Sequence, residues 1–168
     1  MTVKTRFLVL GATAKTGRRV AEQLQNLGHS VRAVSRGTTP SFDWTKPDTW
    51  DDVLRDIDAV YVTFQPDLAV PGSDQIIADF AARALSHGAK RLVMLSGRGE
   101  DAAQDAERTL RNSGADWTVL RANWFFQNFS EDLFLPYLQN GALALPAGDI
   151  PEPFVDADAI ADVDAYVA

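Results

Sequence analysis

Leu8-Val9-Leu10-Gly11-Ala12-Thr13-Ala14-Lys15-Thr16-Gly17-Arg18-Arg19-Val20 is the stretch on which the fold turns. An apolar run ends at a glycine, and a turn of small residues follows. A second glycine stands six positions on, where a helical pattern begins. A β-strand hands over to an α-helix in this way at a phosphate-binding site. The glycine turn lets the backbone approach a pyrophosphate, and the free N–H groups of the new helix favour its charge. The plainer reading is a structural turn, small only so that strand and helix can meet. Thr13, Lys15 and Thr16 could donate to phosphates; Lys15 reads equally as a solvated side chain. Ala14 stands where the three-glycine pattern has its middle glycine. Alanine resists positive φ, so the turn should differ slightly in shape.

Outward from this turn, short apolar runs alternate with helical patterns. Strands are expected at Phe7–Leu10, Ser30–Ser35, Ala59–Phe64, Arg91–Ser96 and Trp117–Arg121. Helices are expected at Lys15–Leu27, Pro47–Ile57, Asp74–Ser86 and Ala102–Arg111, and at Ala157–Val167 with Asp156 as N-cap. The first carries a stripe of Val20, Ala21, Leu24 and Leu27, and Gly28 stops it. Pro47 suits a helix start, where its missing N–H costs nothing. Such alternation implies right-handed βαβ units. The expected fold is α/β, a doubly wound, mostly parallel, Rossmann-like sheet with helices on both faces. Beyond Ala122 the texture changes. Residues 123–138 are aromatic and only loosely periodic, and Gly141–Pro146 suggests a short strand.

At 168 residues and 46% hydrophobic, the chain reads as one globular domain, residues 1–168. Residues 122–168 contribute a substrate-side region. With no cysteine there is neither disulfide nor thiolate metal site. His29 and His87 stand beside glycines in turns after helices, which reads as solvated caps rather than ligands, so no metal is expected. A net charge of −7 argues against bulk attraction to nucleic acid. No apolar run reaches the roughly 18 residues of a membrane span. The N-terminus lacks a signal peptide's apolar core and cleavage site. The expected location is the cytoplasm.

The second strand bears on which dinucleotide binds. An NAD site usually places an acid about 20 residues past the glycine turn, for the ribose 2′-hydroxyl. Here Val31-Arg32-Ala33-Val34-Ser35-Arg36-Gly37 offers no acid. Arg36, with Ser35 and Arg32, could instead pair a 2′-phosphate through a charge-assisted fork, which favours NADP over NAD. A solvated arginine is the alternative. In Phe42-Asp43-Trp44, Asp43 could accept from the adenine amino group, while Trp44 also reads as packing. Reductases on this scaffold often use a Tyr-x-x-x-Lys pair for the proton. Residues 97–115 contain neither type, and none of Tyr61, Tyr137 and Tyr166 has a lysine four residues on. Carbonyl reduction by that route is disfavoured, and no catalytic residue is assigned.

The chain resembles the NmrA-like branch of the atypical short-chain dehydrogenase/reductases. The resemblance rests on the Gly11–Gly17 turn, on Val31–Arg36, on Val93-Met94-Leu95-Ser96-Gly97, and on Trp117-Thr118-Val119-Leu120-Arg121-Ala122-Asn123-Trp124-Phe125-Phe126-Gln127-Asn128-Phe129. Phe154-Val155-Asp156 and Ala159–Val163 also match. It implies an NAD(P)-binding fold without the tyrosine–lysine pair. Members include quinone reductases, ether or imine reductases, and nucleotide-sensing regulators that do no chemistry. The family often has glycine at Ala14 and proline at Ala122, and its members usually run on past the point matching Ala168. The chain is then either a fragment of a longer one or a natural short form, and the short form is expected to leave the substrate side incomplete and its cleft open, favouring a partner or self-association.

The expected cofactor contacts are Gly11, Thr13, Ala14, Lys15, Thr16, Gly17, Ser35, Arg36, Asp43, Thr63, Phe64, Ser96 and Asn123. The expected substrate contacts lie at the carboxyl ends of the strands: Gln65, Gly97, Trp124, Phe125 and Asn128. They suit a small aromatic molecule such as a quinone, although core packing also accounts for Trp124, Phe125, Phe126 and Phe129. Two functions follow: an NAD(P)H-dependent reductase of quinone-like acceptors, or a non-catalytic NADP(H) sensor acting through a protein partner.

Overall fold

A computed structural model describes residues 5–131, 133–145, 148–149 and 151–167. Five strands form one sheet: β1 (Arg6–Leu10), β2 (Ser30–Val34), β3 (Ala59–Val62), β4 (Arg91–Gly97) and β5 (Asp116–Ala122). Their spatial order is β2-β1-β3-β4-β5, and every neighbouring pair is parallel. The helices are α1 (Lys15–Asn26), α2 (Trp50–Leu54), α3 (Ser73–Ser86), α4 (Asp101–Arg111), α5 (Leu135–Gln139) and α6 (Ala157–Val167).

Alternation along the strands assigns the two faces. Phe7, Val9 and Tyr61 pack with Val20 and Leu24 of α1 and Ala161 of α6. Leu8, Leu10, Val60 and Met94 point the other way, toward Val53, Phe80 and Leu110 of α2, α3 and α4. Both faces are covered, which is why the strands read as continuous apolar runs. Phe42, Trp44, Trp50 and Phe80 form an aromatic cluster on the second face, with T-shaped neighbours at 4.9–6.0 Å. Burying a side chain of the Phe class contributes about 2–3 kcal/mol.

Several sequence expectations are corrected. Leu27 is 58% exposed, because α1 closes at Asn26 and Gly28 reverses the chain at φ +85°. Pro47–Ile57 is not one helix. A 3₁₀ turn at Pro47–Thr49 leads into α2, which stops at Leu54. There Arg32 donates to the Val53 and Arg55 carbonyls at 2.8 and 2.7 Å. Arg32 therefore caps α2 and is not available to a 2′-phosphate. β3 ends at Val62, so Thr63 and Phe64 leave the sheet. Gly141–Leu145 form no strand, having no ladder partner among the described residues, and Pro146 lies outside them. His29 packs edge-on against Phe7, and His87 Nε2 lies 2.9 Å from Asp51 Oδ1, joining α3 to α2.

α6 is held against α1. Asp156 Oδ1 accepts from the Asp158 amide at 2.8 Å and from Gln127 Nε2 at 2.7 Å, capping α6. Arg19 joins Glu131 at 2.6 Å and also pairs with Asp158, and Gln23 donates to Asp162 at 2.8 Å.

Candidate functional site

The strand order reverses between β1 and β3: the chain leaves β1 for α1 on one face and β3 for α3 on the other. Ligands of open α/β sheets bind at the carboxyl ends of strands beside such a switch point. The glycine turn lies there. Gly11 has φ +69°, and a Cβ on it would stand 2.7 Å from Thr63 Cγ2. A Cβ on Gly17 would strike the Gly11 carbonyl oxygen, so that glycine lets α1 pack against the end of β1. Ala14 sits at φ −81°, ψ 165°, an extended conformation open to any residue, so the middle position needs no glycine. Ala14 is also the N-cap of α1. No side chain caps the helix and no acid stands in its first turn. A helix start of this kind offers backbone N–H groups to an anion.

A cavity of about 530 Å³ opens above the turn. Gly11, Thr13 and Ala14 form its floor, and Ser35 and Arg36 come from the end of β2. Asp43 and Trp44 form a side wall, and Thr63, Gln65 and Pro66 close it after β3. Arg36 is the arginine that makes neither ion pair nor hydrogen bond among the described residues. Its loop is pre-shaped: the Ser35 amide donates to Thr38 Oγ1 at 2.9 Å, and the Gly37 amide to Ser35 Oγ at 3.3 Å. Asp43 accepts from the Thr45 amide and hydroxyl at 2.9 and 2.8 Å, which holds its carboxyl below the usual range. Trp44 is 7% exposed and donates to the Thr63 carbonyl at 3.1 Å, so it packs and also walls the cavity.

Not every expected phosphate contact faces this space. Thr16 is buried, and its Oγ1 accepts from the Tyr61 hydroxyl at 2.8 Å in the seam between α1 and the sheet. Gly17 lies in the same seam. Lys15 opens α1, and its charge helps hold the Glu131 carboxyl low, after the larger effect of Arg19.

A second cavity of about 660 Å³ adjoins the first, sharing Thr63 and Pro66 with it. Phe64, Ser96, Gly97, Asn123, Trp124, Phe125 and Asn128 line it. Gln65, expected on the substrate side, lines the first cavity instead. Trp124 is 43% exposed and stacks on Phe134 at 5.2 Å; Phe126 is 55% exposed. Neither is plain core. Asn123 donates to Glu152 Oε1 at 2.6 Å. No tyrosine, lysine or histidine lines either cavity among the described residues. The same residues contain no cluster able to hold a metal ion, and no helix long and apolar enough to cross a membrane.

Sequence reasoning missed the carboxylates of this cavity: Asp67, Glu100 and Glu152 are among its lining residues, and Glu107 lies under Ser96. Glu100 lies against Gly97, where an added Cβ would strike its carboxylate. Burial, and then the Asp67 charge, push its carboxyl up. Glu107 is fully buried on α4 beneath the cavity. It accepts from Ser96 Oγ at 2.7 Å, from Arg121 Nε at 2.9 Å and Nη2 at 2.5 Å, and from Arg111 Nη2 at 3.3 Å. Arg121, and then Ser96, hold the Glu107 carboxyl below its ordinary range against the cost of burial. A signal was available: Ala103, Ala106, Glu107 and Leu110 follow the spacing of a buried helical stripe, with one acid in it.

A family model described as NAD(P)H-binding matches residues 11–135. Festuclavine synthase II of Penicillium roqueforti (strain FM164) is 30% identical over 180 residues, covering 94% of this chain and 61% of that protein. Among solved structures, the Citrobacter sp. triphenylmethane reductase complexed with NADP(H) superposes with TM-score 0.77 at 15% identity, covering 96% of this chain and 64% of that one. The NADPH-dependent quinone oxidoreductase QOR2 of Escherichia coli, complexed with NADPH, gives 0.76 at 19% identity, covering 95% and 63%. NmrA, a negative transcriptional regulator, gives 0.71 at 19% identity, covering 93% and 59%. The chain thus spans about three fifths of the length of these proteins.

Proposed function

The chain belongs to the NAD(P)H-binding family, and from that premise we propose an NADPH-dependent oxidoreductase that passes hydride to a flat, apolar, quinone-like acceptor. The observation that carries the reading is the junction of the two cavities at Thr63 and Pro66. One has an uncapped helix start and an arginine without an ion-pair partner among the described residues. The other is walled by Phe64, Trp124 and Phe125.

In this reading the Gly11–Ala14 backbone and the first turn of α1 hold the pyrophosphate. Arg36 and Ser35 take the 2′-phosphate, which favours NADP over NAD. Asp43 faces the adenine end. Thr63, Ser96 and Asn123 frame the nicotinamide, which when bound supplies the hydride. The acceptor lies against Trp124 and Phe125. A quinone-like acceptor needs no Tyr-x-x-x-Lys pair, because its reduced form takes a proton from water. The fold neighbours named for a triphenylmethane reductase and a quinone oxidoreductase fit an aromatic acceptor.

The test is a fluorescence titration with NADPH and NADP⁺, followed by menadione and absorbance at the NADPH band. Binding with oxidation above a no-enzyme blank is the expected result. Discrimination between the two redox forms without turnover supports the other reading, a sensor acting through a protein partner. Binding of neither form overturns both.

A further inference from the structure

The buried carboxylate under the second cavity fixes the direction of one hydrogen bond. Glu107 accepts from Arg121 through Nε and Nη2 and from Arg111, which leaves it ionised and able only to accept. The 2.7 Å contact between Ser96 Oγ and Glu107 Oε1 must therefore carry the serine proton. A hydroxyl has one proton and two lone pairs. With the proton spent on Glu107, Ser96 offers the cavity it lines only lone pairs. It cannot donate to a carbonyl oxygen, neither a quinone's nor a ketone's.

We propose that Ser96 is a specificity-determining acceptor that takes an N–H from the nicotinamide carboxamide. Glu107 is the positioning residue that sets its polarity. The inference rests on the reading of the site as an NADPH–quinone pocket. A quinone such as menadione brings acceptors only, so the carboxamide NH₂ is the donor beside the reacting ring. The arrangement ties recognition of the cofactor's reactive end to an ion pair between α4 and β5.

The test compares the binding of NADP⁺ with that of its 3-acetylpyridine analogue, which keeps the carbonyl but carries methyl in place of NH₂. The wild type should prefer NADP⁺ by about tenfold, the scale of one hydrogen bond. Ser96→Ala should bring the ratio near one, and Ser96→Thr, which keeps the oxygen, should retain it. In Glu107→Gln the amide donates to Ser96 Oγ and the serine proton turns to the cavity, so the preference should shift toward the analogue. A purely structural role for Glu107 would weaken both ligands equally. If Glu107→Gln does not fold, the Ser96→Ala and Ser96→Thr pair decides alone. An unchanged ratio in Ser96→Ala overturns this inference and leaves the NADPH reading standing. Failure of the wild type to bind either dinucleotide overturns that reading instead.

Discussion

The two cavities are built on opposite principles. Around the glycine turn, polar groups are left for a ligand: α1 starts without a side-chain cap, and Arg36 has no ion-pair partner among the described residues. Around the aromatic cavity, Ser96 and Asn123 are used on other protein groups: Ser96 on Glu107 and Asn123 on Glu152. The first region awaits a highly charged molecule of fixed shape. The second uses Ser96 and Asn123 internally and presents rings, with the Glu100 and Asp67 carboxyls also among its lining. This is the division expected where one ligand is a dinucleotide and the other is flat and apolar.

The sharpest way to break the contrast is Gly17→Ala. The new Cβ meets backbone, the Gly11 carbonyl oxygen, which cannot step aside as a side chain would. We expect a loss of about 3 kcal/mol in urea unfolding, at the top of the overpacking range, together with loss of dinucleotide binding. If both survive, the tight seam between α1 and β1 is not what shapes the turn.

In the second region, Glu107→Ala removes the acceptor of Ser96 and Arg121. Losing one partner of a buried pair costs about 3–5 kcal/mol. Arg121 is half exposed and can rehydrate, so we expect a smaller loss of about 2 kcal/mol by the same measurement. The same carboxyl has a pH signature. Its folded value lies below the unfolded one, near 4.3. Its contribution is therefore complete above the unfolded value and disappears as the pH falls through the folded one. Glu107→Gln should have a shallower acid limb than the wild type in unfolding curves taken from neutral pH downward. Parallel limbs would contradict the assignment.

Two smaller effects test ligand division. Arg36→Ala should weaken NADPH about thirty-fold and NADH little, the scale of a charge-assisted hydrogen bond. Equal losses in fluorescence titration would remove the 2′-phosphate role. Trp124→Ala should raise the quinone KM by a few-fold, on the order of an aromatic contact, and leave NADPH binding unchanged. A larger effect on the cofactor would erase the boundary between the cavities.

Much of the first region was legible in the residues, because it depends on local rules. The apolar run to Leu10, the glycines at 11 and 17 and the missing acid after β2 each act within a few positions. Even so, the side-chain directions of Thr16 and Arg32 were not visible. Thr16 turns into the helix–sheet seam toward Tyr61, and Arg32 reaches the carbonyls at the end of α2; both depend on contacts distant in sequence. The second region is made almost wholly of such contacts. Glu107 meets Arg121 across 14 positions, and Asn123 meets Glu152 across 29. The helical stripe of α4 marks Glu107 as buried, but no periodicity announces which residue it meets, and residues 123–138 gave only an aromatic texture. The aromatic residues themselves were ambiguous, since core packing and cavity lining call for the same side chains.

The seam between the cavities has a consequence for how such a chain diversifies. Among the described residues, only Thr63 and Pro66 wall both spaces. Trp124, Phe125 and Asn128 line only the second cavity, so on the proposed reading substitutions there would let new acceptors be tried without disturbing the floor of the first. Thr63 is the exception. Its methyl lies against Gly11 and its carbonyl accepts from Trp44, so it answers to both halves and has the least freedom to drift.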